Sequence, residues 1–463
     1  MKFTRRTFVK GSAALIVAPT IIPSGVLAAN GSPGANDRIG LAVIGPGRQG
    51  GGLLASAGRS KEVRVVAIAD VNLARARQKA LPYKAEIYKD YRKMLERKDV
   101  DAIITATPEH WRALTCIHAC QAGKDVYAEK PMTLTIREGR LMVEATRKYG
   151  RVFQCGSQQR SQPENYFGCK FIREGLIGKI NKVLCSNYPS PWECAFPGEK
   201  IPEELDWDLW CGPTEPVPYH SQLYIPRGKP GWLSFRPYSG GEMTGWGAHG
   251  FDQIQCALGM DESGPVEVWT DGTAFEPLTY TEPEAGTRGN KQCQKVVVSF
   301  RYANGTIMEM GKGNPGGGTF IGEKGTIHIA RGDCKSDPKE LVQGPLIKAL
   351  DELCEKAKAH KDGIEDPAPP ASATYGESKK RVVPQMDGGH MQNWINCIKS
   401  RQRPTADVET GHRSATVCHL GNIARWTGKR LKWDPVKEVF DDVQANTYLD
   451  RKRRKGFELP EKI

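Results

Sequence analysis

A glycine-rich turn between two apolar runs most constrains how this chain folds. The hexapeptide Gly-Pro-Gly-Arg-Gln-Gly at positions 45–50 directly follows the run Ile39–Ile44, and Asp70 closes the next apolar run. A buried strand that turns through glycines into a helix lets the backbone approach a pyrophosphate, whose negative charge then meets the helix N-terminus. The turn therefore predicts a dinucleotide-binding site.

Asp70 indicates which dinucleotide fits. An acidic residue at the end of the second strand suits the two hydroxyls of an adenosine ribose and would repel a 2′-phosphate. NAD is therefore favoured, with NADP as the alternative because Arg75 and Arg77 follow closely in the sequence. The residues of this motif that we predict to contact the cofactor are Gly45, Gly47, Arg48, Gln49, Gly50 and Asp70.

Residues 1–29 are typical of an export signal. The paired Arg5 and Arg6 precede a short apolar stretch at 13–22, and small residues follow up to Ala28. This pattern resembles a twin-arginine signal, and the stretch is shorter than the roughly 20 residues that a spanning helix needs. We expect cleavage after this segment, an uncleaved anchor being the alternative, and no later transmembrane segment. Because the twin-arginine route exports folded proteins, we expect a periplasmic or other extracytoplasmic location.

Charge and cysteine usage argue against several classes of protein. The formal net charge is +13, and we interpret the basic run at 451–455 as solvated surface or a weak contact with an anion. No nucleic-acid-binding motif accompanies that run, so we expect no nucleic-acid partner. The thirteen cysteines have no regular spacing and are expected to be buried thiols. Cys116 and Cys120 share a helix face that His118 does not, which argues against a metal site.

After the leader, short apolar runs alternate with helix-like stretches. This alternation predicts an α/β fold with a doubly wound parallel sheet, whose strands are apolar throughout because helices cover both faces. We assign a Rossmann domain to residues 37–155. Its predicted strands are Ile39–Ile44, Val63–Ala69, Ala102–Ala106, Val126–Ala128 and Val152–Cys155.

Beyond residue 155 the predicted strands have mixed faces. We assign residues 156–435 to an α+β domain with an open, mainly antiparallel sheet, and residues 436–463 to a basic tail. The predicted strands are Lys179–Asn187, Val266–Thr270, Gln294–Tyr302 and Thr306–Gly311, with hairpin turns at Asn304-Gly305 and Glu323-Lys324-Gly325. A polar loop at 362–383 precedes two helices, His390–Lys399 and Glu409–Trp426.

Chemistry-bearing residues follow two strands of the first domain. Thr107, Pro108 and His110 come after the third apolar run, and Glu129 and Lys130 come directly after the fourth. Ligands of open α/β sheets bind beyond the carboxyl ends of the strands. We therefore add these five residues to the predicted cofactor contacts.

Three motifs carry a resemblance to a known family. They are Glu129-Lys130-Pro131, the segment Asp-Trp-Asp-Leu-Trp-Cys-Gly-Pro at 206–213, and Leu-Lys-Trp-Asp-Pro at 431–435. Through them the chain resembles the family of glucose–fructose oxidoreductase, inositol dehydrogenase and rhizopine-catabolism proteins. The resemblance implies a sheet domain that holds a sugar or polyol against the nicotinamide, a catalytic Lys130 with a cis bond to Pro131, and a catalytic His249. It also implies a homo-oligomer, and exported members carry a similar leader.

The residue types suit alcohol oxidation. Hydride leaves a carbinol carbon only if the hydroxyl proton is also taken, and a histidine such as His249 is a suitable base. The Lys130 cation would stabilise the developing alkoxide. Gln158, Arg160 and Trp246, together with His249, are the predicted substrate-binding residues. Of the many second-domain aromatics we expect only one or two to reach a sugar face.

Two positions depart from the family pattern. The family usually has an aspartate four residues before the histidine, where this chain has Gly245. Either Glu242 or Asp252 substitutes, or the proton relay uses Lys130 and His249 alone, or the reaction is not a simple dehydrogenation. Arg112 stands where the family often has histidine; we expect a helix-surface arginine, the alternative being that it faces an anionic group.

The leading hypothesis is an exported NAD(P)-dependent oxidoreductase that acts on a sugar, polyol or glycoside and keeps its nucleotide bound. Retention would require internal recycling, in which one compound is oxidised while another is reduced. A first alternative is a glycoside hydrolase or lyase that works by transient oxidation at C3. A second alternative is a non-catalytic sugar-binding protein, against which the intact Lys130 and His249 argue.

Overall fold

A computed structural model describes residues 37–227, 231–275, 277, 279–281, 296–313, 315–359 and 383–463. The leader predicted at 1–29 lies outside these residues, as does the loop predicted at 362–383 except for its last residue. Within the described ranges, no helix combines the length and apolar character that crossing a bilayer requires. The cysteines of the described residues are free and mostly buried, which confirms the prediction of buried thiols.

The first domain contains a six-stranded parallel sheet in the order β3-β2-β1-β4-β5-β6. This confirms the doubly wound Rossmann architecture. The strand order reverses between β1 and β4, and a ligand crevice forms at such a switch point. The strands are β1 Ile39–Ile44, β2 Val63–Ala69, β3 Glu86–Tyr88, β4 Ala102–Thr105, β5 Asp125–Ala128 and β6 Phe153–Cys155.

Helices cover both faces of this sheet, and separate apolar clusters fill the two interfaces. The side chain of Asn72 caps α2 by accepting from the backbone N–H of Arg75, and that of Thr135 caps α5 by accepting from the N–H of Glu138. The helices are α1 Arg48–Ala57, α2 Leu73–Ala80, α3 Tyr91–Leu95, α4 Glu109–Gln121 and α5 Ile136–Lys148.

The second domain contains a nine-stranded sheet in the order β15-β14-β13-β7-β12-β11-β9-β16-β17, and β8 and β10 form a separate pair. Only the β7–β12 pairing in the large sheet is parallel, so the expected mainly antiparallel sheet is confirmed. Both predicted hairpins form, and Gly305 turns the first with φ +89°. The strands are β7 Ile180–Cys185, β8 Glu193–Cys194, β9 Pro265–Thr270, β10 Thr279–Tyr280, β11 Val298–Tyr302, β12 Ile307–Met310, β13 Gly318–Gly322, β14 Gly325–Ala330, β15 Asp333–Asp337, β16 Leu431–Asp434 and β17 Val439–Phe440.

One long buried helix, α13 (Val408–Thr427), packs against both α5 of the first domain and α10 (Gly247–Ala257) of the second. The helix α12 places Trp394 and Ile395 in an apolar cluster of the first domain, although it comes late in the chain. The helices of this part are α6 Pro163–Arg173, α7 Trp207–Cys211, α8 Ser221–Tyr224, α9 Glu242–Gly245, α10 Gly247–Ala257, α11 Glu340–Ala359, α12 His390–Ser400, α13 Val408–Thr427 and α14 Val443–Asn446.

The basic run near the C-terminus is solvated only in part. Lys452 and Lys455 are exposed, but the three arginines pair with carboxylates, so the interpretation of the run as solvated surface was wrong for them. Arg451 and Arg453 donate to the carboxylate of Glu138 at 3.0 and 2.9 Å, and the Glu138 side chain is 1% exposed. Arg454 pairs with Asp208 of α7 at 2.6 Å. Because a buried carboxylate needs cations beside it, the run folds back onto both domains.

Candidate active site

The glycine-rich turn forms a cradle between β1 and α1. Gly45 has φ +71°, and a Cβ on Gly50 would lie 2.3 Å from the carbonyl oxygen of Gly45. A Cβ on Gly47, by contrast, would meet no atom within 4 Å, so the turn leaves open space there. Arg48 and Gln49 are exposed in the first turn of α1. A tight turn with open space beside a helix N-terminus fits the pyrophosphate of NAD.

Asp70 lies at the end of β2, as predicted, but its carboxylate already has partners. It accepts from the backbone N–H of Asn72 at 2.8 Å and from Arg75 Nε at 2.7 Å. The Arg75 guanidinium also lies 5.6 Å from the centre of the Tyr224 ring. Arg77 pairs elsewhere, with Glu204. Asp70 and Arg75 together would therefore meet the adenosine ribose.

A segment of the second domain covers this edge of the first. The backbone N–H of Leu73 donates to the carbonyl of Glu204 at 3.0 Å, and the N–H of Asp206 donates to the carbonyl of Val71 at 2.9 Å. The amide of Asn72 donates to the Tyr224 hydroxyl at 3.1 Å. Residues 204–224 thus lie against the loop that follows β2, where the adenosine would bind.

Lys130 lies at the end of β5 with a cis bond to Pro131. Its ammonium donates to the carbonyl of Gly245, in α9 of the second domain, at 3.1 Å. Burial lowers the pKa of Lys130, and the neighbouring Glu129 opposes that effect. Burial also raises the pKa of Glu129, whose carboxylate accepts from the amide of Gln158 at 3.1 Å. Lys130 therefore sits where the two domains meet.

His249 lies in α10 and is 6% exposed. Its Nε2 is 3.1 Å from Nη2 of Arg331, and its ring centre is 5.8 Å from that of the half-buried Trp246. The pKa of His249 lies well below its ordinary value, mainly because the imidazole is buried. The positive charges of Lys130, Arg331 and Arg227 lower it further. Because the Arg331 guanidinium can only donate, Nε2 of His249 accepts and the imidazole is neutral. Gly245, whose carbonyl Lys130 binds, lies four residues before this histidine.

Two carboxylates, those of Glu242 and Asp252, were candidates to replace the family's aspartate at position 245. The structure places Glu242, and not Asp252, beside that position. A Cβ on Gly245 would lie 2.8 Å from Glu242 Oε2, and Glu242 pairs with Arg227 at 2.9 and 3.0 Å. Asp252 is instead buried against Arg160 and the Ser414 hydroxyl. Glu242 therefore occupies the space that a side chain at position 245 would take.

Gly245→Asp is expected to lower kcat/KM by about tenfold or more, because a second carboxylate would be forced beside that of Glu242. The double variant Gly245→Asp/Glu242→Ala should recover most of the loss, since the new carboxylate can then pair with Arg227. Steady-state kinetics of both variants test this. Gly344→Asp is the matched control, as a Cβ there meets no atom within 4 Å. A double variant no more active than the single one would contradict the conclusion that Glu242 occupies the space beside position 245.

Arg160, predicted as a substrate contact, is paired with two carboxylates of the second domain. Its Nε donates to Asp252 at 2.9 and 3.0 Å and its Nη2 donates to Asp261 at 2.7 Å. The Arg160 side chain is 4% exposed. It is a buried ion-pair residue of the second domain, and four of its five N–H donors already have protein acceptors.

Arg112 is not on a helix surface, and that expectation was wrong. It is 2% exposed and donates to the backbone carbonyls of Thr107 and Pro131. These contacts tie together the loops that follow β4 and β5. His110 is also buried: its Nε2 is 2.9 Å from the carbonyl of Trp210, and burial lowers its pKa to about 3. The His110 ring thus faces the second domain and not the glycine turn.

Glu109, which was not predicted from the sequence, connects the two domains beside the site. Its fully buried carboxylate accepts from the Ser239 hydroxyl at 2.6 Å, the Gly240 N–H at 2.9 Å and the Thr244 hydroxyl at 3.0 Å. Burial raises its pKa to about 7. Glu109 therefore anchors the second-domain loop that carries Gly245 onto the first domain.

Most second-domain aromatics pack against one another. Trp207 and Trp210 stack with ring centres 4.4 Å apart, and Trp192 stacks on Tyr280 at 4.2 Å. These rings belong to one buried cluster. Trp246, beside His249, is the aromatic residue that remains a candidate for contact with a sugar.

Comparison with known proteins identifies both domains. Residues 39–157 match an oxidoreductase family described by its NAD-binding Rossmann fold, and residues 170–327 and 377–459 match the C-terminal alpha/beta domain of an oxidoreductase family. Together these matches cover well over half of the chain.

The chain is similar to proteins of known sequence and structure, of which three are described here. The rhizopine catabolism protein MocA of Rhizobium meliloti is 26% identical over 248 residues, which are 54% of this chain and 66% of that protein. The inositol 2-dehydrogenase of Klebsiella pneumoniae is 34% identical over 126 residues, which are 27% of this chain and 37% of that protein. Both alignments span less than two thirds of the relative. The crystal structure of an aldose-aldose oxidoreductase from Caulobacter crescentus shares the fold, with a TM-score of 0.55, 16% identity, and coverage of 85% of this chain and 99% of that one.

Proposed function

Since this chain belongs to the Gfo/Idh/MocA oxidoreductase family, with an NAD-binding Rossmann domain, we propose that it oxidises a secondary alcohol of a sugar or polyol. One observation carries the proposal. The Lys130 ammonium of the first domain donates to the carbonyl of Gly245 at 3.1 Å, and Gly245 lies four residues before His249 of the second domain, so both groups lie at the same junction of the two domains. A cation and a neutral imidazole beside a dinucleotide cradle are the groups that alcohol oxidation requires.

The residues divide the work as follows. When bound, NAD accepts the hydride that the carbinol carbon loses. Neutral His249 accepts the hydroxyl proton, and the Lys130 ammonium donates a hydrogen bond to the oxygen as negative charge develops there. The carbinol thus loses a hydride and a proton and becomes a carbonyl. Gln158, held by Glu129, and Trp246 lie beside these groups and would orient the sugar.

We also propose that the nucleotide stays bound between turnovers. The contacts of Glu204, Asp206 and Tyr224 with the loop after β2 would have to break before the adenosine could leave. Retention suits an exported enzyme, because free NAD is scarce outside the cytoplasm, and the leader at 1–29 supports export. A second compound would then take back the hydride and a proton, so that its carbonyl becomes an alcohol.

Protein purified without added nucleotide should therefore carry NAD or NADH, visible in the nicotinamide absorbance band and by mass analysis after denaturation. Addition of single sugars and polyols from a panel should raise that absorbance once, and the product should have lost a pair of hydrogens. Protein without nucleotide that turns over only with free NAD would contradict retention. A panel that never reduces the nicotinamide would contradict the proposed oxidation.

A second function has one observation in its favour. Gly245 replaces the aspartate that dehydrogenases of the family usually hold, and a retained nucleotide suits a cycle that returns it to its starting state. Glycoside cleavage by transient oxidation at C3 is such a cycle: hydride is taken, the aglycone is eliminated, water adds, and hydride returns. Release of aglycone without lasting nicotinamide reduction distinguishes this function. For either function we propose a homo-oligomer, which sedimentation analysis tests.

A further inference from the structure

We infer that the substrate carries an anionic group that Arg331 binds, which makes an acidic sugar the preferred substrate class. This inference rests on the proposed function. Arg331 lies in the turn between β14 and β15, and its residue is exposed while its guanidinium reaches the buried His249. It is therefore both accessible from solvent and in contact with the catalytic histidine.

The direct contacts of Arg331 include no carboxylate. Nη2 lies 3.1 Å from His249 Nε2, Nε lies 3.3 Å from the amide oxygen of Gln159, and the guanidinium carbon lies 5.3 Å from the centre of the Trp246 ring. These partners are all neutral. Among the residues that the structure describes, no carboxylate approaches Arg331 within the 4.0 Å of an ion pair.

The neighbouring carboxylates are shared among several cations. The carboxylate of Glu129 acts on Arg331 from beyond contact distance, but it also serves Lys130 and Arg112, and burial raises its pKa. Arg227 takes the carboxylate of Glu242 for itself, in a two-pronged pair at 2.9 and 3.0 Å. Lys130, the third cation that acts on His249, is bonded to a backbone carbonyl. A partly buried site with more cations than carboxylates is attractive to an anion. A neutral sugar would leave this positive charge unpaired.

An anion on Arg331 would also change what His249 can do. A guanidinium has only donors, so His249 Nε2 must be the acceptor, and the imidazole proton must lie on Nδ1. In this arrangement the lone pair that a general base needs is already occupied. A substrate carboxylate that draws the guanidinium to itself would free Nε2 for the hydroxyl proton. Recognition of the anion would thus be coupled to turnover and not only to binding.

The test compares matched neutral and anionic substrates, with a carboxylate arm and a phosphate arm to distinguish the two sources of charge. Glucose, glucuronate and glucose 6-phosphate form one set, and galactose and galacturonate form another. We expect wild-type kcat/KM to favour an anionic member by about tenfold or more, the value of one charge-assisted hydrogen bond. Added salt should reduce that preference by screening the charges.

Arg331→Gln should abolish the preference, mainly through kcat, and Arg331→Lys should keep part of it. The matched control is Lys335→Gln, which removes an exposed cation from the adjoining strand β15, where it pairs only with Asp333. This control should keep the wild-type preference. If Lys335→Gln also lost the preference for anionic substrates, general surface charge would explain that preference, and the inference would be overturned.

Equal rates with neutral and anionic members, unaffected by salt in the wild-type protein, would overturn the inference while leaving sugar oxidation intact. That measurement needs no variant, so it decides even if Arg331→Gln does not fold. Absence of nicotinamide reduction with every member of both sets would instead contradict the proposed function itself.

Discussion

Replacement of Lys130 by methionine is expected to lower kcat/KM by about a hundred- to a thousandfold, the range found when one donor to a developing oxyanion is removed. Methionine keeps the length of the side chain and removes its charge. The bond from the ammonium to the carbonyl of Gly245 shows that the lysine is already held at the boundary between the domains. Little reorganisation is therefore needed when the substrate oxygen becomes negative.

A fall in kcat/KM of Lys130→Met can be attributed to the lost charge only if the variant still binds its nucleotide. Nucleotide content after denaturation and the unfolding midpoint should stay close to those of the wild-type protein. Lys93→Met is the matched control, because that lysine is exposed and pairs only at the surface with Glu96. An unchanged kcat/KM in Lys130→Met would remove Lys130 from the mechanism, and His249 would then have to act without a neighbouring cation.

Arg160→Met is expected to lower the free energy of unfolding by about 3–5 kcal/mol, because removal of one partner strands a buried charge. The stranded group is Asp252, whose side chain is 2% exposed and whose main partner is the Arg160 guanidinium. Replacing both residues, in Arg160→Met/Asp252→Leu, should restore much of the stability, since no unpaired charge is then buried. Denaturant titration of the single and double variants measures both changes.

This pair of variants also tests the role first expected for Arg160. If the guanidinium is committed to Asp252 and Asp261, KM for the sugar should change little in whatever fraction of the single variant remains folded. The exposed pair of Arg92 and Asp90 gives the control, because Arg92→Met should cost less than about 1 kcal/mol. A large rise in KM with no loss of stability would return Arg160 to the list of substrate contacts.

The fold could be predicted largely because its strands differ so clearly in their surroundings. Strand β1 is buried at every position and therefore forms an uninterrupted apolar run in the sequence. Strand β3, Glu86–Tyr88, was missed because it is short and has no buried residue. The hairpin at Asn304-Gly305 could be identified because its turn requires a residue with positive φ. Local chemistry sufficed in these places.

The site was harder to predict, because most of the residues that meet there are far apart in the sequence. Lys130 could be found from its place at a strand end, since that rule is local. Arg331 contacts a histidine 82 positions earlier, and Thr244 binds Glu109 across 135 positions. No spacing rule connects such pairs. Only the packing of the second domain against the first shows that they meet.

The pairing of Arg451 and Arg453 with Glu138 has a consequence for biosynthesis. These arginines lie 313 and 315 positions after the glutamate they neutralise, so they are synthesised long after it. Until they are made, the Glu138 carboxylate of the nascent first domain lacks both of these cations and must stay hydrated or protonated. Translation of the nucleotide-binding half is therefore not enough to finish it.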